Sequence, residues 1–243
     1  MKYVGSKNKL SKELIPIIQS FITKETEFYI EPFVGGANII DKIQFHKKIG
    51  YDIHSELIEL LNYVKYNSDK LPIGISKDEY VQVRDNKDAY DKWFVGLVGF
   101  CGSYNAKYFG GYAGECITKQ GIRHYDQEAI RNLKKQAKNL KDIEFKSLDF
   151  RKLDTNNIKN SVIYCDIPYR DTTDYKTEKF PYEEFYEWCK LLSKNNTVLI
   201  SEYNMPEDIF EYIWEKEHRT FLDKNDNNKK RIEKLFTVKD LYL

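Results

Sequence analysis

The sequence predicts an α/β protein with a mainly parallel sheet and an antiparallel hairpin at its C-terminal end. Three observations lead there. Short apolar runs ending in an acid or a proline alternate with segments of helical apolar spacing, as in a parallel sheet with helical crossovers. The tail breaks this rhythm: extended runs near His218 to Leu222 and Arg231 to Val238 flank the polar turn cluster Asp223-Lys-Asn-Asp-Asn-Asn228. Between about Ser68 and Tyr125 the alternation fails altogether. Pro72, Gly74 and the glycines at 96, 99, 102, 110, 111 and 114 mark an inserted lobe of short helices and loops, too aromatic to be a linker. Residues 1–67 and 126–243 are therefore expected to form one domain, with 68–125 inserted.

The elements follow in order. Leu10, Leu14, Ile17, Ile18 and Phe21 predict a first helix that Pro16 kinks or delays. Glu27 to Ile30 reads as a strand stopped at Pro32, followed by a glycine turn and a short helix from about Ala37 to Phe45. Lys48 to Tyr51 is a second strand ending at Asp52, and Leu57, Ile58, Leu60, Leu61 and Val64 line the next helix. Past the lobe, a helix over about Asp126–Leu140 precedes strands at Ile143–Ser147 and Ser161–Cys165. A helix over Tyr182–Ser193 and a buried strand at Asn196–Ile200 lead into the tail hairpin.

At 243 residues the chain can hold one large domain or one domain plus a lobe. It is 41% hydrophobic and 32% charged, as in soluble globular proteins. Aromatics at 15% read mainly as core packing. A net charge of +1 means that any contact with nucleic acid must come from a local patch. Two are available: residues 119–141, with Lys119, Arg123, Arg131, Lys134, Lys135, Lys138 and Lys141 against Asp126 and Glu128, and the run Lys229-Lys230-Arg231. Solvated helix faces are the plainer explanation of both. The four cysteines lack metal-type spacing, so no zinc site and a reduced cytoplasmic setting are expected. No signal peptide and no membrane span are expected either.

The chemistry concentrates at strand ends, where open α/β sheets bind ligands. Phe33-Val-Gly-Gly36 follows the first strand, and its paired glycines allow a ligand close to the backbone. Asp52 ends the second strand, where an acid would take hydrogen bonds from ribose hydroxyls; a plain turn with a helix-capping acid is an equal reading. G-x-G-x-x-G is absent, which argues against a nicotinamide dehydrogenase. Asp166-Ile167-Pro168-Tyr169 ends the apolar run Ser161–Cys165. Ile167 precedes proline and is biased to an extended backbone, so its carbonyl can point outward. An ionised Asp166 and that carbonyl are two acceptors for the two N–H bonds of an aromatic amine. Tyr169 adds a flat face, worth about 1–3 kcal/mol in base stacking.

Together these segments resemble the Dam-type DNA adenine N6-methyltransferases of the α group. The resemblance rests on Tyr3-Val-Gly-Ser-Lys7, the Phe33-Val-Gly-Gly36 loop, Asp52, the Asn- and Gly-rich segment Gly99–Gly111, and Asp-Ile-Pro-Tyr in place of D-P-P-Y, in that order along the chain. It implies a Rossmann-like catalytic domain using S-adenosylmethionine, with 68–125 as the target-recognition region and duplex DNA as partner. No metal and no membrane are implied, the oligomeric state is left open with a monomer as one reading, and the source would be bacterial or phage. It further implies that Tyr3 and Lys7 close over the cofactor, that Phe33, Gly35 and Gly36 form its bed, and that Asp52 holds the ribose. Asp149 and Phe150 would flank its adenine, and Asp166 would also face the cofactor. Asp166, Ile167, Pro168 and Tyr169 would serve a flipped target adenine, with Asn105, Lys107 and Tyr112 near DNA. Lys134, Lys135, Lys229, Lys230 and Arg231 are the candidate phosphate contacts.

Ile167 departs from the family's proline. The position acts through its carbonyl, which isoleucine keeps, at a loss of stiffness of about 1 kcal/mol. Related motifs also serve cytosine N4 and protein glutamine methylation, and a module that binds without catalysis is a further alternative. The recognition site, any tie to a restriction nuclease and the biological role are not encoded legibly.

Overall fold

The computed structural model describes residues 1–118, 121–168, 180–219 and 230–239. Its elements are α1 (Ser11–Ser20), β1 (Tyr29–Glu31), β2 (Lys48–Asp52), α2 (Ser55–Asn67), α3 (Lys77–Asp85), α4 (Lys92–Cys101), β3 (Glu115–Thr118), β4 (Gly121–His124), α5 (Tyr125–Leu140), β5 (Ile143–Ser147), β6 (Val162–Asp166), α6 (Tyr182–Ser193), β7 (Thr197–Glu202), β8 (Phe210–Arg219) and β9 (Lys230–Val238). They fall into two compact units, one of residues 1–15 and 34–148, the other of 16–33 and 149–243. The strand pairings give the expected α/β class, parallel except for the β3–β4 pair and the pairings made by the C-terminal strands β8 and β9.

The first unit is built on the parallel pair β2 and β5, registered from Lys48 opposite Ile143 to Asp52 opposite Ser147. On α2, Leu57, Ile58, Leu60, Leu61 and Val64 are buried, a spacing that makes one apolar helix face. α4 approaches α2 so closely that a Cβ on Gly96 would stand 2.2 Å from the carbonyl oxygen of Glu56. α5 buries Ala129, Ile130, Leu133, Gln136, Ala137 and Leu140 along one stripe.

Two expectations fail in this unit. Residues 37–45 form turns and irregular backbone, not a helix. Ala37 sits at φ +55, in the left-handed region, which stops a right-handed helix from starting. The carbonyls a helix would bond internally are taken by side chains: Gly36 and Ala37 by Gln136, Asn38 by Lys42, Ile40 and Ile43 by the buried Lys48. The inserted lobe, expected as short helices and loops, also contains a β-hairpin. β3 and β4 pair antiparallel with Ile117 opposite Ile122, and both side chains are exposed, Ile117 at 84% and Ile122 at 62%.

In the second unit β1, β6 and β7 are parallel, and β9 joins β7 and β8 antiparallel. β6 is buried from Val162 to Cys165 and only its last residue, Asp166, begins to emerge. Beside it, α6 buries Phe185, Tyr186, Trp188, Cys189 and Leu192. β8 starts eight residues earlier than expected (Phe210 against His218) and carries a bulge between Tyr212 and Trp214. Its Glu211, Glu215, Lys216 and Glu217 mask it as a strand in the sequence, yet charges are what an edge strand needs to resist pairing with other chains. The turn cluster at 223–228 lies outside the described residues. Among those described, no helix is long and apolar enough to cross a membrane.

Candidate active site

The glycine turn after β1 is organised by its own backbone. Val34 N–H donates to the Tyr51 carbonyl at 2.8 Å, and Ala37 N–H closes the turn onto the Val34 carbonyl at 2.8 Å. Gly35 takes φ +46 and lies against Tyr3: a Cβ there would stand 2.8 Å from the Tyr3 ring. A Cβ on Gly36 would meet Asn38 Nδ2 at 2.7 Å and Tyr3 Cβ at 2.8 Å. Both positions therefore require glycine, for space at each and for conformation at Gly35.

Asp52 stands at the tip of β2 facing this turn. Its Oδ2 accepts from Gly35 N–H at 3.0 Å and its Oδ1 from His54 N–H at 2.9 Å. Burial pushes its carboxyl pKa up, and the two peptide N–H bonds pull back against it. A carboxylate has more acceptor sites than these bonds use, so it can still accept from a ribose hydroxyl. The donor set thus fits the ribose of a nucleoside cofactor.

The N-terminal segment packs on the same turn. Tyr3 lies 5.6 Å from Phe100, ring to ring, within an aromatic group that includes His54 and Tyr108. Lys7 is buried at the start of a short 3-10 turn, and its Nζ is 3.5 Å from the Gly5 carbonyl. Asn38 ties the segment down by donating to the Met1 carbonyl at 3.0 Å and to Ser6 Oγ at 2.8 Å. The structure thus gathers Tyr3, Gly35, Gly36 and Asp52 at one place, with Lys7 close by in the chain.

In the second unit, Asp166 is the last residue of β6, opposite Ser201 of β7. Ile167 is 2% exposed, so its side chain anchors the strand end, while Pro168 is exposed and its carbonyl accepts from Tyr182 Oη at 2.8 Å. Tyr164, two residues before Asp166, bonds Ser201 Oγ at 2.8 Å. Its hydroxyl pKa is driven far up, by burial first and by the Asp166 charge second. Tyr169 lies outside the described residues.

Phe33 and Phe150 are brought together, 5.5 Å between ring centres, with Phe180 and Phe185 within 6 Å of Phe33. They pack among other rings, and Phe150 is buried. Asp149 caps the short helical turn after it. Arg151 grips both its oxygens, at 3.0 Å and 2.6 Å, and that pairing holds the carboxyl below its usual range.

The expected DNA contacts divide. Asn105 and Lys107 are exposed, and Asn105 adopts φ +53 in a 3-10 turn. The Tyr112 hydroxyl donates to the Ile75 carbonyl at 2.6 Å. Lys134 donates to the Leu71 carbonyl at 2.8 Å, whereas Lys135 is exposed on the same helix. Lys230 opens β9, and Arg231 stacks its guanidinium 5.0 Å over Tyr203. Lys119 and Lys229 lie outside the described residues. Among those described, no group of His, Cys, Asp and Glu is placed to hold a metal ion.

A model of the D12 class N6 adenine-specific DNA methyltransferases matches residues 3–229. The chain belongs to that family. It is 28% identical over 195 residues to the DNA adenine methylase of Haemophilus influenzae, an alignment covering 70% of this chain and 63% of that protein. The DNA adenine methylase of Salmonella typhi is 24% identical, with 87% of this chain and 86% of the relative covered. Among solved structures, the magnesium protoporphyrin IX methyltransferase of Synechocystis PCC 6803 is similar at TM-score 0.41 and 11% identity, covering 98% and 81%. Nothing further rests on a likeness at that score.

Within this D12-class chain, sequence reasoning missed the residues behind the glycine turn. Asn38 and Gln136 are both buried polar side chains: Gln136 bonds the Gly36 and Ala37 carbonyls, and Asn38 bonds Met1 and Ser6 of the N-terminal segment packed on the turn. Gln136 had a visible signal, a polar side chain in the middle of an otherwise apolar helical stripe. The hairpin had little, because every described side chain of its strands faces solvent.

Proposed function

We propose that this chain transfers a methyl group to the exocyclic N6 of adenine in duplex DNA, with S-adenosylmethionine as donor. The observation that carries the reading is Asp166 at the emerging end of a buried strand, locked beneath by Ile167. Family membership supports the substrate, and the Asp52–Gly35 arrangement supports a nucleoside-bearing cofactor. When bound, that cofactor supplies an electrophilic methyl on a sulfonium.

The chain's own residues do the rest. Asp166 and the Ile167 carbonyl accept the two N–H bonds of the amine, drawing the nitrogen lone pair out of conjugation with the ring. As positive charge builds on the nitrogen, the fixed carboxylate stabilises it without reorganising, the usual source of the largest catalytic gains. Tyr169 provides the stacking face for the extruded base, at an unstacking cost of a few kcal/mol. Asp52 and the Gly35–Gly36 turn hold the cofactor, with Tyr3 and Lys7 over it.

The hairpin β3–β4 is the DNA-reading element. A two-stranded ribbon fits the major groove, and the Ile117–Ile122 pair offers apolar contact to thymine methyls. Incubation with duplex DNA and labelled cofactor, followed by nucleoside analysis, tests the proposal. N6-methyladenine as the labelled product is the expected result. Label in cytosine or in protein glutamine would replace it, and cofactor binding with no labelled product on any DNA would indicate a chain that binds without catalysis.

A further inference from the structure

Gln136 sits on α5 with 6% of its surface exposed, in a stripe otherwise lined by Ala129, Ile130, Leu133, Ala137 and Leu140. A primary amide in that setting is unfavourable unless its donors and acceptor are all engaged. Here they are. Nε2 donates to the Gly36 carbonyl at 3.1 Å, to the Ala37 carbonyl at 2.9 Å and to Asp41 Oδ2 at 3.0 Å, while Oε1 accepts from the Met1 amino nitrogen. One side chain, a hundred residues from the turn, therefore reaches two consecutive peptide carbonyls of it.

That contact has a directional consequence. Fixing the Gly36 and Ala37 carbonyls fixes the planes of the two peptides that follow Gly36. Ala37 is thereby held at φ +55, a conformation alanine adopts only when its surroundings impose it. The same peptides carry the N–H that closes the turn onto Val34, and the turn in turn presents Gly35 N–H to Asp52.

We infer that Gln136 is a positioning residue for the cofactor: it sets the glycine turn in its binding shape and touches neither cofactor nor DNA. The inference rests on the proposed cofactor site and extends it to a residue on the far helix. Its chemistry requires donors, so an isosteric side chain without N–H groups should fail even where it packs well.

The test compares wild type, Gln136→Met and Gln136→Glu in the full chain. Each variant keeps the volume and removes both N–H donors. Cofactor Kd by calorimetry should rise about tenfold in both, with kcat at saturating cofactor and DNA within about twofold of wild type and DNA affinity unchanged. Hydrogen exchange should quicken at Gly35 and Ala37 while amides of β2 and β5 keep their protection. Wild-type cofactor Kd in either variant, whatever happens to its Tm, would reduce Gln136 to a packing residue and overturn the inference. Should Gln136→Met not fold, Gln136→Glu carries the same comparison. A wild-type chain that fails to bind the cofactor at all would overturn the proposed function, and the inference with it; the wild-type titration separates that failure from one specific to Gln136.

Discussion

The peptide N–H of Gly35 donates to Oδ2 of Asp52 at 3.0 Å, which makes the glycine turn and the tip of β2 one hydrogen-bonded unit. Asp52 is desolvated there, and its pKa is raised above the ordinary carboxylate value. The sign follows directly: a raised pKa means that the neutral acid persists to higher pH. Cofactor affinity should therefore begin to fall, as pH is lowered, sooner than an unperturbed aspartate would dictate. Calorimetric titrations between about pH 4 and 8 should show that acid limb in wild type and none in Asp52→Asn, which should bind weakly throughout. A wild-type affinity flat down to pH 4 would count against Asp52 as the ribose acceptor.

Asp166→Asn keeps the shape of the strand end and removes the charge. Methylation should drop by about two to three orders of magnitude, the scale seen when one electrostatic partner of a transition state is lost. Cofactor Kd should change by less than about threefold, because the glycine turn is untouched. Single-turnover rates with labelled cofactor measure the first and calorimetry the second. Near-normal turnover would remove Asp166 from the mechanism.

Glu128 holds two cations, Lys2 at 2.8 Å and Arg123 of β4 at 2.6 Å, both of which also lie over the Tyr125 ring. If the hairpin meets DNA as proposed, a carboxylate in that place would compete with phosphates for Arg123. Glu128→Gln should tighten DNA binding at low salt and steepen the dependence of log K on log salt by about one, the contribution of one extra phosphate contact. Arg123→Ala should weaken binding and flatten the same slope. Slopes unchanged in both would leave this cluster a surface brace worth about 0–1 kcal/mol.

Gly96→Ala tests the packing of the first unit alone. The added methyl would press on the Glu56 carbonyl, a backbone atom that cannot swing aside. Destabilisation of about 1–3 kcal/mol is expected, read as a lower urea midpoint at unchanged m-value.

Much of the fold was legible because apolar spacing is a strong local signal. Ile143–Ser147 and Tyr182–Ser193 stand as read, and β2 and α5 differ from expectation by one residue at an end. The failures share a cause. Residues 37–45 look helical in isolation and are unwound by Gln136 and Lys48, partners remote in the chain or beyond the turn. The described side chains of β3 and β4 are all exposed, so these strands lack the alternation that betrays a strand. At the candidate site, the closeness of the glycine turn to Asp52 was readable from residue type and place at strand ends. The engagement of Tyr112 with Ile75 and of Lys134 with Leu71 was not, since a polar side chain looks the same in sequence whether it meets a ligand or a local carbonyl.

The openness of β3 and β4 has an evolutionary corollary. Exposed strands can mutate without endangering the scaffold. Under the proposed reading of DNA by this ribbon, lineages could drift toward new target words by substitutions confined to it, and randomised libraries built on it should yield altered specificities at little loss of soluble expression.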